Sequence, residues 1–209
     1  MLSEFALVLP VKPPMVGKSR LSGIDDEQRR ALATAFALDT VAVCAAAGAA
    51  GVLVTTDDAS FSARCAALGC ASVPDGDTND LNAALTQAAA EARRRWPDAA
   101  PVALLADLPA LRTSDLDQAL ASVPAGTHAF VADADGTGTT LYTATYDAFD
   151  PRFGAGSRAA HLAAGAREIG GELPTLRRDV DDLDGLRAAI ELGVGPETRR
   201  LAHVVASPG

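Results

Sequence analysis

The 209-residue sequence predicts an α/β fold in which a mostly parallel β-sheet carries helices on both faces. Short continuous apolar runs, the pattern of strands that are buried on both sides, alternate along the chain with longer segments of helical periodicity. These helical segments are long enough to serve as crossover connections between parallel strands. The sequence contains no internal repeat and no low-complexity linker, so we predict one domain that spans residues 1–209.

The first half of the chain shows the clearest alternation of strands and helices. Apolar runs at Phe5–Leu9 and Val52–Thr56 predict two strands. The helix between them is expected to open at Asp25–Asp26 and to end near Gly48, because aspartate is a common N-cap and glycine a common C-cap. A second, Ala-rich helix is expected to reach Gly69.

The middle of the chain continues the same pattern. We predict a short strand at Ala71–Val73 and then a helix whose apolar stripe runs from Leu81 to Trp96. The run Pro101–Ala106 is the clearest strand of the sequence. The segment Ser114–Asp117 fits a capping box that would open the next helix.

Paired short strands are expected in the last third. His128–Ala132 and Thr139–Thr145 predict two strands around a glycine-containing turn, and a short helix is expected near His161. Thr175–Val180 predicts a last short strand. A helix over Leu183–Leu192, followed by one more, closes the chain.

Charge and composition exclude some classes of function. The net charge is −9 at pH 7, whereas a nucleic-acid surface needs clustered Lys and Arg, so no nucleic-acid partner is expected. No run of about 18 apolar residues predicts a membrane span, and no basic and then apolar leader precedes Phe5. Cys44, Cys65 and Cys70 match no zinc-binding spacing and are expected to be buried free thiols. Together these features predict a cytoplasmic protein.

A basic loop follows the first predicted strand, at the edge where open α/β sheets bind their ligands. Lys12, Lys18 and Arg20 provide three cations that are suited to hold a triphosphate or a departing pyrophosphate. Gly17-Lys-Ser does not form a P-loop, because the position five residues before Gly17 is lysine instead of glycine. A solvated basic loop is the alternative interpretation.

Carboxylates are the second group of candidates at this edge. Asp107 emerges from an apolar strand, where it either caps a turn or binds a metal together with further carboxylates. Asp179 and Asp181 can provide these, because alternate residues of an extended segment point the same way. Asp133 and Asp135 form a competing pair, for which a turn role is the alternative. Hard carboxylate oxygens suit Mg²⁺, which neutralises phosphate charge, so a nucleoside triphosphate held with Mg²⁺ is expected.

Other catalytic patterns are missing from the sequence. There is no Gly-x-Ser-x-Gly elbow of a hydrolase, and no Gly-x-Gly-x-x-Gly follows the first strand as in a dinucleotide-binding oxidoreductase. The three histidines, His128, His161 and His203, are scattered along the chain. His161 lies near a loop of the candidate site, but a lone histidine is interpreted as a core or surface residue.

Six segments, taken in order, resemble one known family. They are Val11–Leu21, Ala106–Leu111, Gly136–Thr139, Pro151–Ser157, Arg178–Asp181 and Leu192–Pro196. The family is the 2-phospholactate/phosphoenolpyruvate guanylyltransferases of coenzyme F-420 (deazaflavin) biosynthesis, and the similarity covers nearly the whole chain. Each motif alone is weakly specific, but six in register are a strong signal. Ala106 departs from the pattern, since relatives often carry glycine there.

The resemblance implies a nucleotidyltransferase-type, Rossmann-like fold and the transfer of GMP from GTP to the phosphate of a small phosphorylated three-carbon acid. On the family pattern, Thr139, Gly154 and Ser157 bind this acid. We expect phosphoenolpyruvate by association with the Ala- and Arg-rich composition, with 2-phospholactate and 3-phosphoglycerate as alternatives. A homodimer is expected only because it is the commonest assembly of soluble oligomers in general.

The resemblance also implies a metal site and a nucleotide site. Asp107, Asp179 and Asp181 resemble the magnesium-binding set, and Asp107 and Lys18 are the residues implied to be catalytic. Three residues are implied to lie near the nucleotide: Lys12, Lys18 and Asn82.

Two other functions stay open on the sequence. A molybdopterin-type nucleotidyltransferase usually opens with a Gly-rich loop after the first strand, whereas this loop begins Pro-Val-Lys and has one late glycine. A non-catalytic nucleotide- or phosphate-binding module is possible on the same fold, because a fold does not fix a function. Release of pyrophosphate would separate an enzyme from such a module.

Overall fold

The computed structural model describes residues 2–11, 24–76 and 80–205, with only the backbone described for residues 203–205. The predictions made for Lys12, Lys18 and Arg20 lie outside the described residues. The same holds for residues 77–79 of the predicted turn after the third strand.

Seven strands of the described chain form one sheet. They are β1 (Phe5–Pro10), β2 (Gly51–Thr55), β3 (Ala71–Val73), β4 (Ala100–Leu104), β5 (Ala129–Ala132), β6 (Thr139–Thr143) and β7 (Arg167–Glu168). Their order across the sheet is β3-β2-β1-β4-β6-β5-β7. Among these strands only β6 runs antiparallel to its neighbours, so the prediction of a mostly parallel sheet is confirmed.

Helices connect most of these strands. They are α1 (Asp26–Ala46), α2 (Ala59–Ala67), α3 (Leu81–Arg95), α4 (Thr113–Ala121), α5 (Ser157–Ala163), α6 (Pro174–Arg177), α7 (Leu183–Leu192) and α8 (Pro196–Val205). Helix α1 opens as predicted, because the Asp25 carboxylate accepts the Gln28 N–H over 2.8 Å. Asp58 and Asp80 cap α2 and α3 in the same way. Within the described residues, no helix has both the length and the apolar character of a bilayer-spanning segment.

Alternate residues of the central strands enter two apolar layers, one on each face of the sheet. Leu7 and Leu9 of β1 pack with residues of α1, α2 and α4. Ala6 and Val8 of the same strand face the opposite way and pack with α3. Strand β1 is buried along its whole length, as expected for a strand that is covered on both sides. The predicted helices on both faces are therefore confirmed.

The three cysteines are free and buried, as predicted. Cys44, Cys65 and Cys70 belong to the apolar layer that contains α1 and α2. Burial raises the pKa of all three thiols, to about 11 for Cys65. These thiols are therefore protonated at neutral pH and are packed as small apolar side chains.

The prediction of a last strand at Thr175–Val180 was wrong. Pro174 begins the short helix α6 there, because proline has a fixed φ that suits the first turn of a helix and lacks the N–H that a strand would use. The last strand is instead β7, which has two residues and no apolar run that would mark it in the sequence.

The predicted capping box at Ser114–Asp117 was also wrong. Helix α4 begins at Thr113, so the N-cap is Arg112 and not Ser114, and the Arg112 side chain makes no capping hydrogen bond. The Asp115 carboxylate instead accepts the N–H and the hydroxyl of Thr175, over 2.9 and 2.7 Å. This carboxylate therefore joins α4 to α6 instead of closing its own helix end.

The antiparallel strand brings a second set of residues to the ligand-binding edge of the sheet. Leu104, the last residue of β4, pairs with Leu141 of β6. Since β6 runs in the opposite direction, its first residue, Thr139, lies at the edge where the parallel strands end. Asp107, which follows β4, emerges at the same edge.

Candidate active site

A cavity of about 570 Å³ opens at the carboxyl edge of the sheet. Its wall contains all six residues that the resemblance implied for the acid and the metal: Asp107, Thr139, Gly154, Ser157, Asp179 and Asp181. The described wall has four aspartates and neither lysine nor arginine. A phosphorylated ligand could therefore bind against these residues only together with a cation that offsets their charge.

Helix α1 holds the turn that carries Asp107 through the side chain of Thr40. The Thr40 hydroxyl accepts the N–H of Leu108 over 3.2 Å, and its proton is shared between the carbonyls of Phe36 and Ala106, at 2.8 and 3.1 Å. Leu108 is itself fully buried. These contacts fix the residues on both sides of Asp107, so the position of its carboxylate is set by the core.

The segment with Asp179 and Asp181 is fixed against the same turn. The Val180 N–H donates to the carbonyl of Asp107 over 3.0 Å, and the Val180 side chain is buried in an apolar cluster with Leu32 and Leu186. Alternate residues of an extended segment face opposite sides, so the two aspartates project away from this cluster. The reasoning about alternate residues therefore holds, although the segment is not a strand.

The three carboxylates are arranged in a way that suits a metal ion. Asp107, Asp179 and Asp181 each offer one oxygen, and these oxygens lie within 4.8 Å of one another. A small hard cation such as Mg²⁺ binds oxygen at about 2.1 Å, so oxygens on one ion are about 3 to 4 Å apart. Small movements of these side chains would bring the three oxygens to the spacing that one bound ion requires.

The competing pair, Asp133 and Asp135, makes different contacts. Asp133 accepts the N–H groups of Thr137 and Gly138 over 2.9 and 2.7 Å, and a side chain at Gly138 would collide with its carboxylate. Asp135 is exposed and lies 3.9 Å from the guanidinium of Arg178. Of the two interpretations, the turn role is the one that these hydrogen bonds support for Asp133.

The residues implied for the acid come from two neighbouring segments. Thr139 begins β6 and Ser157 begins α5, and both side chains are almost fully buried at the cavity wall. Gly154 and Gly156 lie between them and have φ of +129° and +70°. Side chains other than hydrogen rarely adopt such angles, so the shape of this loop depends on glycine.

Asn82 lies at the start of α3 and contacts the acid loop. Its side-chain amide pairs with the backbone of Phe153. The nucleotide-binding role of Asn82 stays a prediction, as do those of Lys12 and Lys18.

His161 is a residue of the site that the sequence analysis did not assign. Its ring is fully buried and lies 3.0 Å from the Thr139 hydroxyl and 3.0 Å from the Arg152 N–H nitrogen. Burial lowers its pKa to about 4, so the ring is neutral at physiological pH. A signal was present in the sequence, because a spacing of four residues places His161 on the same helix face as Ser157.

Comparison with known proteins gives both a family and close relatives. A family model described as "Guanylyl transferase CofC like" matches residues 5–173. "Phosphoenolpyruvate guanylyltransferase" of Thermomonospora curvata is 50% identical over 203 residues, which cover 95% of this chain and 88% of the relative. The protein of the same name from Streptomyces scabiei is 46% identical over 214 residues, covering 99% of each chain.

Solved structures with a similar fold are more distant in sequence. A nucleotidyl transferase from Methanothermobacter thermautotroptrophicus has a TM-score of 0.60 at 16% identity, and the match covers 90% of this chain and 97% of that protein. Rv0371c from Mycobacterium tuberculosis, solved as a complex with manganese, has a TM-score of 0.56 at 21% identity and covers 91% and 100%. These neighbours confirm the nucleotidyltransferase-type α/β fold.

Proposed function

The chain belongs to the guanylyl transferase CofC-like family, and on that premise we propose that it transfers GMP from GTP to phosphoenolpyruvate and releases pyrophosphate. Relatives that match nearly the whole chain carry the name phosphoenolpyruvate guanylyltransferase. The observation that carries the proposal is the cavity in which clustered carboxylates and two hydroxyls share one wall. 2-Phospholactate is the alternative acid, and the reaction belongs to deazaflavin coenzyme F-420 biosynthesis.

The carboxylate cluster is the proposed site for Mg²⁺. Asp107, Asp179 and Asp181 would hold the ion, because their oxygens are close together and carboxylate is a preferred ligand of hard cations. When bound, Mg²⁺ neutralises the charge of the phosphate groups. This compensation is needed here, since the described wall carries four aspartates and no basic residue.

The acid is proposed to bind at the other residues of the wall. The hydroxyls of Thr139 and Ser157 would donate to the phosphate oxygens, and Gly154 would allow the loop backbone to approach the ligand. Leu81 and Phe153 also line the cavity, and their apolar side chains suit a ligand whose carbon skeleton carries no hydroxyl.

The proposed reaction needs little chemistry from side chains. An oxygen of the acid's phosphate attacks the α-phosphorus of GTP, the bond between the α- and β-phosphates breaks, and pyrophosphate leaves. The attacking phosphate is already ionised near pH 7, since its second pKa is about 6, so no general base is required. The residues of the cavity act by positioning and by charge compensation, and Lys12 and Lys18 are proposed to offset the charge of the triphosphate.

The cellular location of the enzyme is also a proposal. Three free, buried cysteines fit a reducing compartment, and we propose the cytoplasm. A homodimer and a single domain over residues 1–209 stay predictions.

The test is pyrophosphate release from GTP and Mg²⁺ with phosphoenolpyruvate, 2-phospholactate and 3-phosphoglycerate in separate reactions. Controls omit the acid or replace GTP by ATP or CTP, and a downstream acceptor system removes the product so that the equilibrium cannot hide turnover. Release that requires phosphoenolpyruvate and prefers GTP is the expected result. No release with any acid, from protein shown to be folded, would favour the non-catalytic binding module.

A further inference from the structure

We propose that His161 is a positioning residue for acid binding: it holds the Thr139 oxygen as an acceptor, so that the Thr139 proton remains for the acid, and it fixes the adjacent Arg152 backbone. The proposal rests on the proposed function, because the ligand is the phosphorylated acid of that reaction. His161 does not itself belong to the described cavity wall, so it acts through these two neighbours.

The protonation of the imidazole follows from its partners. The backbone N–H of Arg152 can only donate, and it lies 3.0 Å from Nε2, so Nε2 is the acceptor. A neutral imidazole has one proton, which must then be on Nδ1. This nitrogen lies 3.0 Å from the Thr139 Oγ1, so its proton is directed at the Thr139 oxygen.

This arrangement determines what Thr139 can offer to a ligand. Its oxygen accepts from Nδ1–H, so its own O–H is not used by the ring. Neighbouring donors of the same wall are already occupied, because the N–H groups of Thr137 and Gly138 bind Asp133. The Thr139 hydroxyl is therefore available as a hydrogen-bond donor next to backbone N–H groups that are already occupied. A phosphate oxygen is the matching acceptor.

The imidazole is held too firmly to exchange its partners. Its ring stacks on Tyr142 and Phe130, with centroids 4.7 and 5.3 Å apart, and meets the edge of Phe153 at 5.7 Å. A ring flip would exchange Nδ1 with Cδ2 and Nε2 with Cε1, so that C–H groups would face the Thr139 oxygen and the Arg152 N–H, and both hydrogen bonds would be lost at a cost for each buried group. The orientation and the tautomer are therefore set by the fold and not by the ligand.

His161 also fixes the loop that precedes Ser157. It accepts the N–H of Arg152, and the backbone of the next residue, Phe153, is held by Asn82 of α3. Gly154 follows directly. The loop is therefore anchored at two consecutive residues before its glycines begin, which places the acid loop in the absence of a ligand and lowers the ordering cost of binding.

The first test reads the tautomer in the intact protein, without turnover. In ¹⁵N-histidine-labelled protein at pH 7, His161 is expected to show a protonated Nδ1 and an unprotonated Nε2, the reverse of the tautomer that free histidine prefers. The signal is assigned by its loss in His161→Gln. A protonated Nε2 would overturn the proposal whatever the activity.

The second test separates acid binding from nucleotide binding. His161→Phe keeps an aromatic ring but removes both polar contacts, so the KM for the acid is expected to rise about tenfold, the effect of one lost hydrogen bond to a charged group, while the KM for GTP stays within about twofold. His161→Asn should restore part of the acid affinity, because its amide N–H lies near the Nδ1 position. His128→Phe, the same change outside the cavity, should leave both KM values unaltered.

The outcomes distinguish the two proposals. A rise in both KM values to the same degree, or no rise in either, would show that His161 does not position the acid. If His161→Phe does not fold, the tautomer and the His161→Asn kinetics decide. If the wild-type protein releases no pyrophosphate with any acid, the proposed function fails, and the tautomer measurement still tells whether the hydrogen bonds were assigned correctly.

Discussion

The side-chain amide of Asn82 is paired with the backbone of Phe153 by two hydrogen bonds. Its oxygen accepts the Phe153 N–H over 2.8 Å, and its nitrogen donates to the Phe153 carbonyl over 3.0 Å. The two residues are 71 positions apart in the chain, so the pair joins the start of α3 to the acid loop. Because the pair fixes the backbone of Phe153, we expect the loss of Asn82 to disturb the acid loop.

Asn82→Ala should therefore weaken binding of the acid. Loss of this pair leaves two partly buried backbone groups of Phe153 without partners, which costs about 1–3 kcal/mol. We expect the KM for phosphoenolpyruvate to rise about tenfold, with little change for GTP. Steady-state kinetics with each substrate varied in turn measure this, and Gln118→Ala, which removes an exposed amide on α4, is the control. A selective rise in the KM for GTP would instead support the nucleotide-binding role.

Asp179→Asn should abolish most of the activity by weakening the metal site. Replacing one of three carboxylates removes charge where the ion binds, and we expect turnover to fall at least about 100-fold, as for the loss of other groups that stabilise charge in a transition state. Binding of Mn²⁺, followed by its electron paramagnetic resonance signal, should weaken in parallel. The melting temperature without metal should not fall, because mutual repulsion among the carboxylates is reduced.

The matched control for this change is Asp184→Asn. Asp184 lies on α7, its side chain is 88% exposed, and it pairs only with Arg187 of the same helix among the described contacts. Such surface pairs contribute little, so activity and Mn²⁺ binding should be unchanged. Equal losses in both variants would argue against a metal site at Asp179.

Thr139→Val and Thr140→Val form a pair of nearly isosteric changes at adjacent positions of β6. Thr139 lines the cavity, whereas the hydroxyl of Thr140 is buried without a hydrogen-bond partner among the described residues. A hydrogen bond to a charged group contributes about 1.5–3 kcal/mol, so Thr139→Val should lower kcat/KM for the acid roughly 10- to 100-fold.

Thr140→Val should leave the kinetics unaltered and should keep or raise the melting temperature, because it removes an unsatisfied buried hydroxyl. Thermal unfolding and the same kinetic assay measure both variants. If Thr140→Val reduced acid binding as much as Thr139→Val does, the effect would come from distortion of β6 and not from a lost contact with the acid.

Most of the fold could be predicted because its strands leave a local signal. The apolar runs that form β1, β2 and β4 are buried on both faces of the sheet, so each is continuous and easy to recognise. Strand β7 could not be found this way, since its two residues are Arg167 and Glu168. It exists only because its backbone pairs with β5, a contact that no local pattern encodes.

In the candidate site, too, some features could be predicted from local sequence and others could not. Asp107 was predicted from its place after an apolar strand, and Asp179 and Asp181 from their alternate spacing. The contacts that position these and other site residues were not predictable, because they join distant parts of the chain. Thr40 contacts the turn of Asp107 at Ala106, 66 positions away in the chain. Local periodicity in the sequence does not predict a hydrogen bond between such distant residues.

The stability of the folded protein should fall between pH 6.5 and pH 4 because of His161. Burial lowers the pKa of this residue from 6.5 to about 4; the backbone of Ser157 and the charge of Asp150 oppose this effect, and the charge of Arg152 adds to it. As the pH falls through 6.5, the unfolded chain takes up a proton at this residue, while the folded protein does so only near pH 4. The unfolded state therefore binds more protons over this interval, and the free energy of unfolding decreases as the pH falls.

Urea unfolding of the wild type and of His161→Gln, measured from pH 8 to pH 4, isolates this contribution. Carboxylates also titrate in this range, but they are common to both proteins, so the difference between the two curves reports His161. The stability advantage of the wild type should be constant above pH 6.5 and should shrink steadily towards pH 4, because glutamine does not titrate. Parallel curves over the whole range would mean that His161 has the same pKa in the folded and unfolded states, which is incompatible with a buried, neutral imidazole.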